Sequence, residues 1–192
     1  MKVTGKKSLA WFLKFILAIL FVFFAVHLIY FLTGSGIAYY KYHSGSQVFN
    51  ETILIGGNSV GFNPEKSFQL IYPFTNQNFM LSELTLQTLI IQGLGFSVFT
   101  FYLFCLYKIF HFLSHDVIFN ESILRWLSIF MYLNLFTAIF YMLFWGAVFK
   151  LVNPGKLIMF SFPFLIISIF TLFLRNFFKK GYELQSEHDL TI

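Results

Sequence analysis

The chain has 192 residues, of which 58% are hydrophobic, 22% are aromatic and only 11% are charged. A soluble globular domain usually carries about 25% charged residues, so this composition excludes that class. The single cysteine, Cys105, excludes an internal disulfide and a paired-thiol redox motif. The net charge of +5 does not indicate nucleic acid as a partner, because the Lys and Arg residues lie mostly at the edges of apolar segments. The composition indicates an integral membrane protein.

Four apolar segments are long enough to cross a bilayer as helices. A hydrocarbon core about 30 Å thick requires about 20 apolar residues, because every backbone amide in lipid must be hydrogen-bonded within its own helix. The first segment could instead be a cleaved signal peptide, but its apolar run 15–32 is longer than the about 7 to 15 residues usual there. The sequence therefore predicts an all-α membrane protein, a single-domain bundle of four transmembrane helices at about 8–32, 84–107, 126–149 and 157–174.

The distribution of Lys and Arg predicts the orientation of the chain. These residues accumulate on the cytoplasmic side of membrane proteins. Most of the 13 lie on the side that holds both termini, the linker 108–125 and the tail 175–192, which we therefore expect to be cytoplasmic. The loop 33–83 is then extracytoplasmic, and the basic residues on its side are Lys41, Lys66, Lys150 and Lys156.

The loop 33–83 is too long for a simple connector. It contains two β-prone runs, 47–55 and 67–72, separated by a segment rich in Gly and Asn, which predicts a small β-hairpin. A lone hairpin is marginal in water, so we expect it to rest on the bundle, on the lipid surface or on a second copy.

The two remaining connections between predicted spans are shorter than the loop 33–83, and each contains a local sequence signal. Asn153, Pro154 and Gly155 form a strong turn signal, which predicts that the third and fourth helices are an antiparallel hairpin. In the linker, Asn120 is a predicted N-cap with Glu121 in the first helical turn. Three residues have the spacing of an apolar face, which we expect to lie on the bilayer surface: Phe119, Ile123 and Trp126.

Few polar side chains lie inside the predicted spans, and no Asp, Glu, Lys or Arg lies in the interior of the three later spans. The candidates for a polar site within the membrane are His27, Gln87, Gln92 and Asn134. Gln87, Gln92 and Asn134 would either line a substrate path or form hydrogen bonds between helices, and the second interpretation is favoured. His27 would be either a proton or ligand site or a neutral histidine hydrogen-bonded near the interface, and again the second interpretation is favoured. His111 and His115 have the spacing of a metal pair but lack the Glu of a zinc hydrolase motif, so no metal, cofactor or catalytic site is predicted.

Two segments resemble a known family. The linker has Phe119 followed by Asn120 before the third helix, and the tail has Gly181, then Glu-Leu-Gln at 183–185, then Asp-Leu-Thr at 189–191. This pattern resembles a bacterial family of small four-span membrane proteins, the domain of unknown function 2975. Asp116 departs from the pattern, where a Gly or a basic residue is expected. The matching residues are candidate cytoplasmic contacts: Phe119, Asn120, Gly181, Glu183, Leu184, Gln185, Asp189, Leu190 and Thr191.

The resemblance implies the bacterial inner membrane and no established activity. The tail either docks a protein partner or is a solvated, frayed end. The sequence therefore predicts a non-enzymatic accessory, sensor or regulatory membrane protein that acts through protein contacts, with membrane lipid and either a protein partner or a second copy as its partners. A small oligomeric transporter or channel, with a polar path lined by amide side chains, is the second hypothesis. A membrane enzyme is third, because no nucleophile and base can be placed at one depth.

Overall fold

The computed structural model describes residues 5, 7–56, 63, 65–115, 117–145 and 154–190, without the side chains of 144–145, 154–158 and 188–190. The elements in chain order are α1 (Leu9–Ser44), β1 (Ile53–Ile55), β2 (Ser67–Ile71), β3 (Asn78–Glu83), α2 (Leu86–Leu113), α3 (Glu121–Phe140), a π-helical turn (Tyr141–Trp145) and α4 (Pro154–Leu190).

The described residues form four helices that are long and apolar enough to cross a membrane. Apart from a small antiparallel sheet, the protein is mostly helical, which confirms the predicted fold class. Helices of this length and composition indicate a multi-pass membrane protein. The helices extend beyond the predicted spans: α1 continues through Ser44 instead of ending near Leu32, and the tail is helical through Leu190 rather than irregular.

The distribution of side chains between interior and surface also differs from that of a soluble protein. Large apolar side chains are exposed along α1 and α4, for example Ile19, Met159 and Phe173. Many of the buried side chains are small and polar, including Ser35, Ser82, Thr100, Asn134, Thr137, Ser161, Ser168 and Thr171. Helices that pack in lipid use small and polar residues at their contacts, because lipid already solvates the large apolar ones.

The chain divides into two compact units. The terminal unit comprises Met1–Phe21 and Tyr102–Ile192, and the sheet unit comprises Val22–Phe101. Helices α1 and α2 each contribute residues to both units.

The sheet unit contains a three-stranded antiparallel sheet in the order β1-β2-β3. β1 pairs with β2 through Leu54 opposite Gln69, which confirms the predicted hairpin, although only Ile53–Ile55 of the first β-prone run is extended. The third strand, β3, was not predicted. The Gly-rich connection between β1 and β2 lies largely outside the described residues.

The sheet packs against helix α1, as expected for a sheet too small to be stable alone. Phe68 and Leu70 of β2 share a buried apolar cluster with Phe31 and Ala38 of α1. Gly34 allows the close approach, because a Cβ at this position would lie 3.0 Å from Cδ2 of the fully buried Leu70. The small residues after Leu32 thus serve helix–sheet packing and do not end the helix.

In the terminal unit, α3 and α4 pack as antiparallel neighbours, as predicted. The Ser168 hydroxyl donates to the Met131 carbonyl at 3.0 Å, and Arg175 Nε donates to the Ser128 hydroxyl at 2.6 Å. Residues later in α4 therefore contact residues earlier in α3, so the two helices are antiparallel. Asn153, in the predicted turn between these helices, lies outside the described residues.

The start of α3 confirms one prediction and corrects another. The Asn120 side chain accepts a hydrogen bond from the Ile123 backbone N–H at 3.0 Å, so Asn120 is the N-cap, with Glu121 in the first turn. The prediction that Phe119, Ile123 and Trp126 lie on the bilayer surface was wrong. Ile123 is fully buried with Ile109, and the apolar face packs inside the protein because α2 and α4 cover it.

Replacing Gly34 by Val is expected to destabilise the protein, because its methyl groups would overlap the buried Leu70 side chain. Overpacking of this kind costs about 1–3 kcal/mol. Gly36→Val is the matched control in the same helix, since nothing lies within 4 Å of a Cβ there. Thermal unfolding followed by circular dichroism in detergent should show a lower midpoint for Gly34→Val only. Equal midpoints would contradict the helix–sheet contact.

Candidate functional site

The sheet unit contains an open cleft of about 740 Å³. It lies between the second half of α1, the segment before β1 and the turn that joins β2 to β3. Its lining is aromatic on several sides and includes one carboxylate: Tyr30, Thr33, Gly34, Ile37, Phe49, Glu51, Thr52, Ile53, Tyr72, Pro73, Phe74, Thr75 and Asn76.

Two phenylalanines of the lining have the left-handed backbone conformation. Phe49 has φ of 57° and Phe74 has φ of 62°. This conformation costs about 1–2 kcal/mol for a residue with a Cβ. Both side chains are exposed, Phe74 completely and Phe49 by 59%. Burial of the rings therefore does not offset the strain within the unit, and strained backbone of this kind clusters at binding sites.

Aromatic contacts hold one wall of the cleft. The Tyr30 and Tyr72 rings are stacked at 6.2 Å, and the Tyr30 hydroxyl donates to the Ile71 carbonyl. Phe79 meets both tyrosine rings edge to face at 5.4 Å. The position of Tyr72 is thus fixed from two sides, by α1 and by β3.

His27, a candidate polar residue, supports the same wall. Its Nδ1 lies 2.7 Å from the Phe23 carbonyl, which can only accept, so Nδ1 carries the proton. In the neutral ring Nε2 then accepts from the Tyr72 hydroxyl, at 3.0 Å. The bond from Nδ1 to the Phe23 carbonyl fixes the His27 ring on α1, and the bond at Nε2 then holds the Tyr72 hydroxyl.

A buried lysine supports the segment before β1. Lys41 is only 5% exposed, and its Nζ donates to the Asn50 side-chain oxygen at 2.6 Å and to the Ile53 carbonyl at 2.7 Å. These bonds connect the last turns of α1 to the chain that carries Phe49, Glu51 and Thr52 into the cleft. Sequence reasoning placed Lys41 as a membrane anchor and did not anticipate this role.

The hydroxyls in the lining are engaged with backbone. Thr33 donates to the Ile29 carbonyl at 2.9 Å, Thr52 to the Phe49 carbonyl at 3.4 Å, and Thr75 to the Tyr72 carbonyl at 3.0 Å. Each threonine hydroxyl is therefore engaged in stabilising its local backbone turn.

The other candidate polar residues have hydrogen-bond partners or exposure of their own. In the sheet unit, Gln92 accepts from the Ser82 hydroxyl at 2.9 Å, and Gln87 is exposed. In the terminal unit, the fully buried Asn134 accepts from the Tyr102 hydroxyl at 2.9 Å and donates to the Phe130 carbonyl at 2.7 Å. These amide contacts fit the interpretation as hydrogen bonds between elements.

Two candidate cytoplasmic residues, one in the linker and one in the tail, are in direct contact. The Phe119 ring packs so closely on α4 that a Cβ at Gly181 would lie 2.5 Å from Phe119 Cε1. Phe119 also meets the Phe178 ring, with centroids 5.5 Å apart. Glycine at 181 is required by this approach, so the two residues of the resemblance are explained by packing within the chain.

The remaining tail candidates face outward or lie outside the description. Glu183 and Leu184 are exposed, Gln185 is half-buried, and Glu183 pairs with Lys179 at 3.5 Å. Asp189 and Leu190 are helical but their side chains are not described, and Thr191 and Asp116 lie outside the described residues. Leu184, like Phe177 earlier in the tail, is therefore an exposed apolar residue that is available for a contact.

Metal binding is not favoured by the arrangement of ligating residues. Among the described residues, no group of three or more His, Cys, Asp or Glu side chains could hold a metal ion. His111 and His115 do lie side by side, with ring centroids 4.9 Å apart. Two imidazoles alone form an incomplete site.

Comparison with known proteins identifies the family. The family described as "Protein of unknown function (DUF2975)" matches residues 37–192. The chain belongs to this family. The match includes the linker and the tail, so the resemblance predicted from those segments is confirmed. Searches of curated proteins and of solved structures gave no match.

Sequence reasoning missed most of the cleft. It identified the loop that forms much of it but not the aromatic lining, because Tyr30 and Tyr72 lie far apart in sequence. The left-handed conformation of Phe49 and Phe74 has no sequence signal, since phenylalanine does not favour it.

Gly181→Ala is expected to separate the end of α4 from the linker, because the added methyl overlaps the Phe119 ring. We expect destabilisation of about 1–3 kcal/mol, as for other overpacked contacts. The midpoint of thermal unfolding in detergent measures it. Gly95→Ala is the control, a helical glycine with nothing within 4 Å of a Cβ. The double variant Phe119→Ala with Gly181→Ala should recover part of the loss, and purely additive losses would refute direct contact.

Proposed function

We propose that this family member is a non-enzymatic accessory, sensor or regulatory protein of the bacterial cytoplasmic membrane. Both termini lie in the cytoplasm, and the sheet and its cleft lie outside. The protein acts through contacts: its outer cleft binds a partner or ligand, and its linker and tail contact a protein inside. The observation that carries this proposal is the cleft with the two exposed, strained phenylalanines.

The membrane placement is supported by helix length and by the excess of basic residues. Helix α1 alone has 36 residues. At a rise of 1.5 Å per residue such a helix exceeds a hydrocarbon core of about 30 Å, so its end can project beyond the bilayer. The orientation follows the accumulation of Lys and Arg on the side of the linker and tail.

A binding role is supported by the chemistry of the cleft. Exposed aromatic rings provide large contact areas and rank among the residues that contribute most to protein interfaces. Phe74 and Phe49 project from backbone that is already fixed in a strained conformation, so little side-chain and loop ordering remains to be lost on binding. The engaged threonine hydroxyls support a role without covalent catalysis.

A contact role inside the cell is supported by the tail. Helix α4 continues to Leu190 and exposes Leu184 at its described end, while Phe119 and Gly181 fix its position against α3. A rigid helix end presents an apolar residue at lower entropic cost than a frayed tail would. The transporter hypothesis receives no such support, because Gln87 is exposed and Gln92 and Asn134 are each bonded within separate units.

The orientation can be tested by cysteine labelling in a Cys105→Ala background, since Cys105 is buried. Asn76→Cys at the cleft should react with a membrane-impermeant maleimide in intact cells. Ser186→Cys on α4 should react only after the membrane is permeabilised. Both positions are exposed, so differences in labelling report sidedness. The reverse pattern would show that the termini lie outside.

Contacts can be tested by photocrosslinking in native membranes. A photoreactive amino acid in place of Phe74, or in place of Leu184, is expected to yield a discrete adduct with another protein, identified by mass spectrometry. Leu54 is the control for Phe74, because it is exposed on β1 but does not line the cleft. Tyr132, exposed on α3, is the control for Leu184. Adducts with lipid alone at both sites would refute action through protein contacts.

A further inference from the structure

Four basic side chains of the terminal unit lie close together where α1 begins and α2 ends. The ends of the helices are joined there, because the Gly5 backbone N–H donates to the Leu113 carbonyl at 3.2 Å. Further along, the rings of Phe21 and Phe104 are 5.1 Å apart. Between these contacts lie Lys14 on α1 and Lys108 and His111 on α2, and His115 follows two residues after the end of α2. Lys14, Lys108 and His115 all lie within electrostatic range of the His111 ring. We call these four residues the basic cluster.

Aromatic rings hold the two ammonium groups of the basic cluster. Lys108 Nζ lies 5.4 Å from the Phe104 ring centroid and 5.8 Å from the centroids of Tyr107 and Trp126. Lys14 Nζ lies 4.8 Å from the Phe15 centroid and 6.0 Å from that of Trp11. Each ammonium therefore sits among rings of the kind that mark the interface between lipid and water.

The basic cluster gathers like charges that repel one another. The described ion pairs are Arg125 with Glu121 and Lys179 with Glu183, and neither includes a residue of the cluster. The two ammonium groups, on Lys14 and Lys108, repel one another. An anion with several acceptor oxygens would relieve the repulsion and would use the ammonium donors that the rings leave free.

We propose that the basic cluster binds the headgroup phosphate of an anionic phospholipid. The inference rests on the membrane placement under the proposed function, since only that placement sets the cluster at lipid headgroups. A lipid suits the site better than free phosphate because Trp11, Phe12 and Phe15, beside Lys14, expose apolar surface along which acyl chains can lie. Basic pockets between helices on the cytoplasmic side are known sites for anionic lipids.

The tryptophans of the site provide the measurement. The full chain carrying Trp145→Phe, which leaves Trp11 and Trp126 as the fluorophores, is reconstituted in phosphatidylcholine vesicles with a minor fraction of brominated phosphatidylglycerol. Parallel vesicles contain the same fraction of brominated phosphatidylcholine. Bromine quenches tryptophan on contact, so stronger quenching by the anionic lipid is expected. In Lys14→Gln with Lys108→Gln, the relative affinity for phosphatidylglycerol should fall about fivefold for each lysine removed.

Two matched variants separate the site from general charge. Lys179→Gln with Lys180→Gln removes the same charge from exposed positions of α4 and should keep the preference. Lys14→Arg with Lys108→Arg keeps the charge and should also keep the preference for phosphatidylglycerol. Circular dichroism verifies folding, and Lys14→Gln alone serves if the double glutamine variant does not fold. The proposal would be overturned if both brominated lipids quench the protein with the unaltered cluster equally. It would also be overturned if the α4 control loses as much of the preference for phosphatidylglycerol as Lys14→Gln with Lys108→Gln does.

Two further outcomes distinguish the explanations. Inorganic phosphate added to the vesicles should not remove the preference for phosphatidylglycerol. Loss of the preference on adding phosphate would assign the cluster to free phosphate and overturn the lipid proposal. Absence of quenching by either brominated lipid would show that the chain does not insert. That result would refute the membrane placement of the proposed function, whereas normal quenching without preference would refute the headgroup site alone.

Discussion

The structure depends on how helices pack in lipid. There a large apolar side chain gains no hydrophobic free energy by moving from the lipid into a contact between helices. In lipid, contact between helices comes from close backbone approach and from hydrogen bonds. The buried Asn134, Ser168 and Thr171 follow this constraint. Large apolar residues remain at the surface of α1 and α4 for the same reason. The sheet is the contrasting case, since Phe68 and Leu70 pack in an ordinary apolar cluster.

The proposed activity divides between the two units without requiring chemistry in either. The sheet unit offers a cleft whose aromatic wall is fixed by Tyr30, Tyr72 and His27, and whose rim carries strained phenylalanines. The terminal unit offers a positioned helix end and a group of cations suited to a headgroup phosphate. An outer binding surface and an inner contact surface are the parts that an accessory or sensor protein needs. Helices α1 and α2 are the elements common to both units, so any effect of binding would pass along them.

Much of the fold follows from the sequence because hydropathy and capping are local signals. The four long helices, the N-cap at Asn120 and the pairing of β1 with β2 could all be predicted. The errors arise where contacts between residues distant in sequence determine the local structure. The predicted first span ended at Leu32, although α1 continues past Gly34, which admits Leu70 from β2. The spacing of Phe119 and Ile123 indicated an apolar face but could not distinguish lipid from α4 as its cover. The cleft depends on three segments that meet only in the folded chain.

The buried lysine of the sheet unit constrains the order in which this region can assemble. Helix α1 emerges from the ribosome before Asn50 and Ile53, whose oxygens receive the Lys41 ammonium. Until those acceptors arrive, the charge must stay hydrated, because an unpartnered buried cation is strongly unfavourable. The last turns of α1 and the approach to β1 therefore reach their final positions in one cooperative step. This part of the sheet unit therefore matures after the first helix is made, when the following segment closes over Lys41.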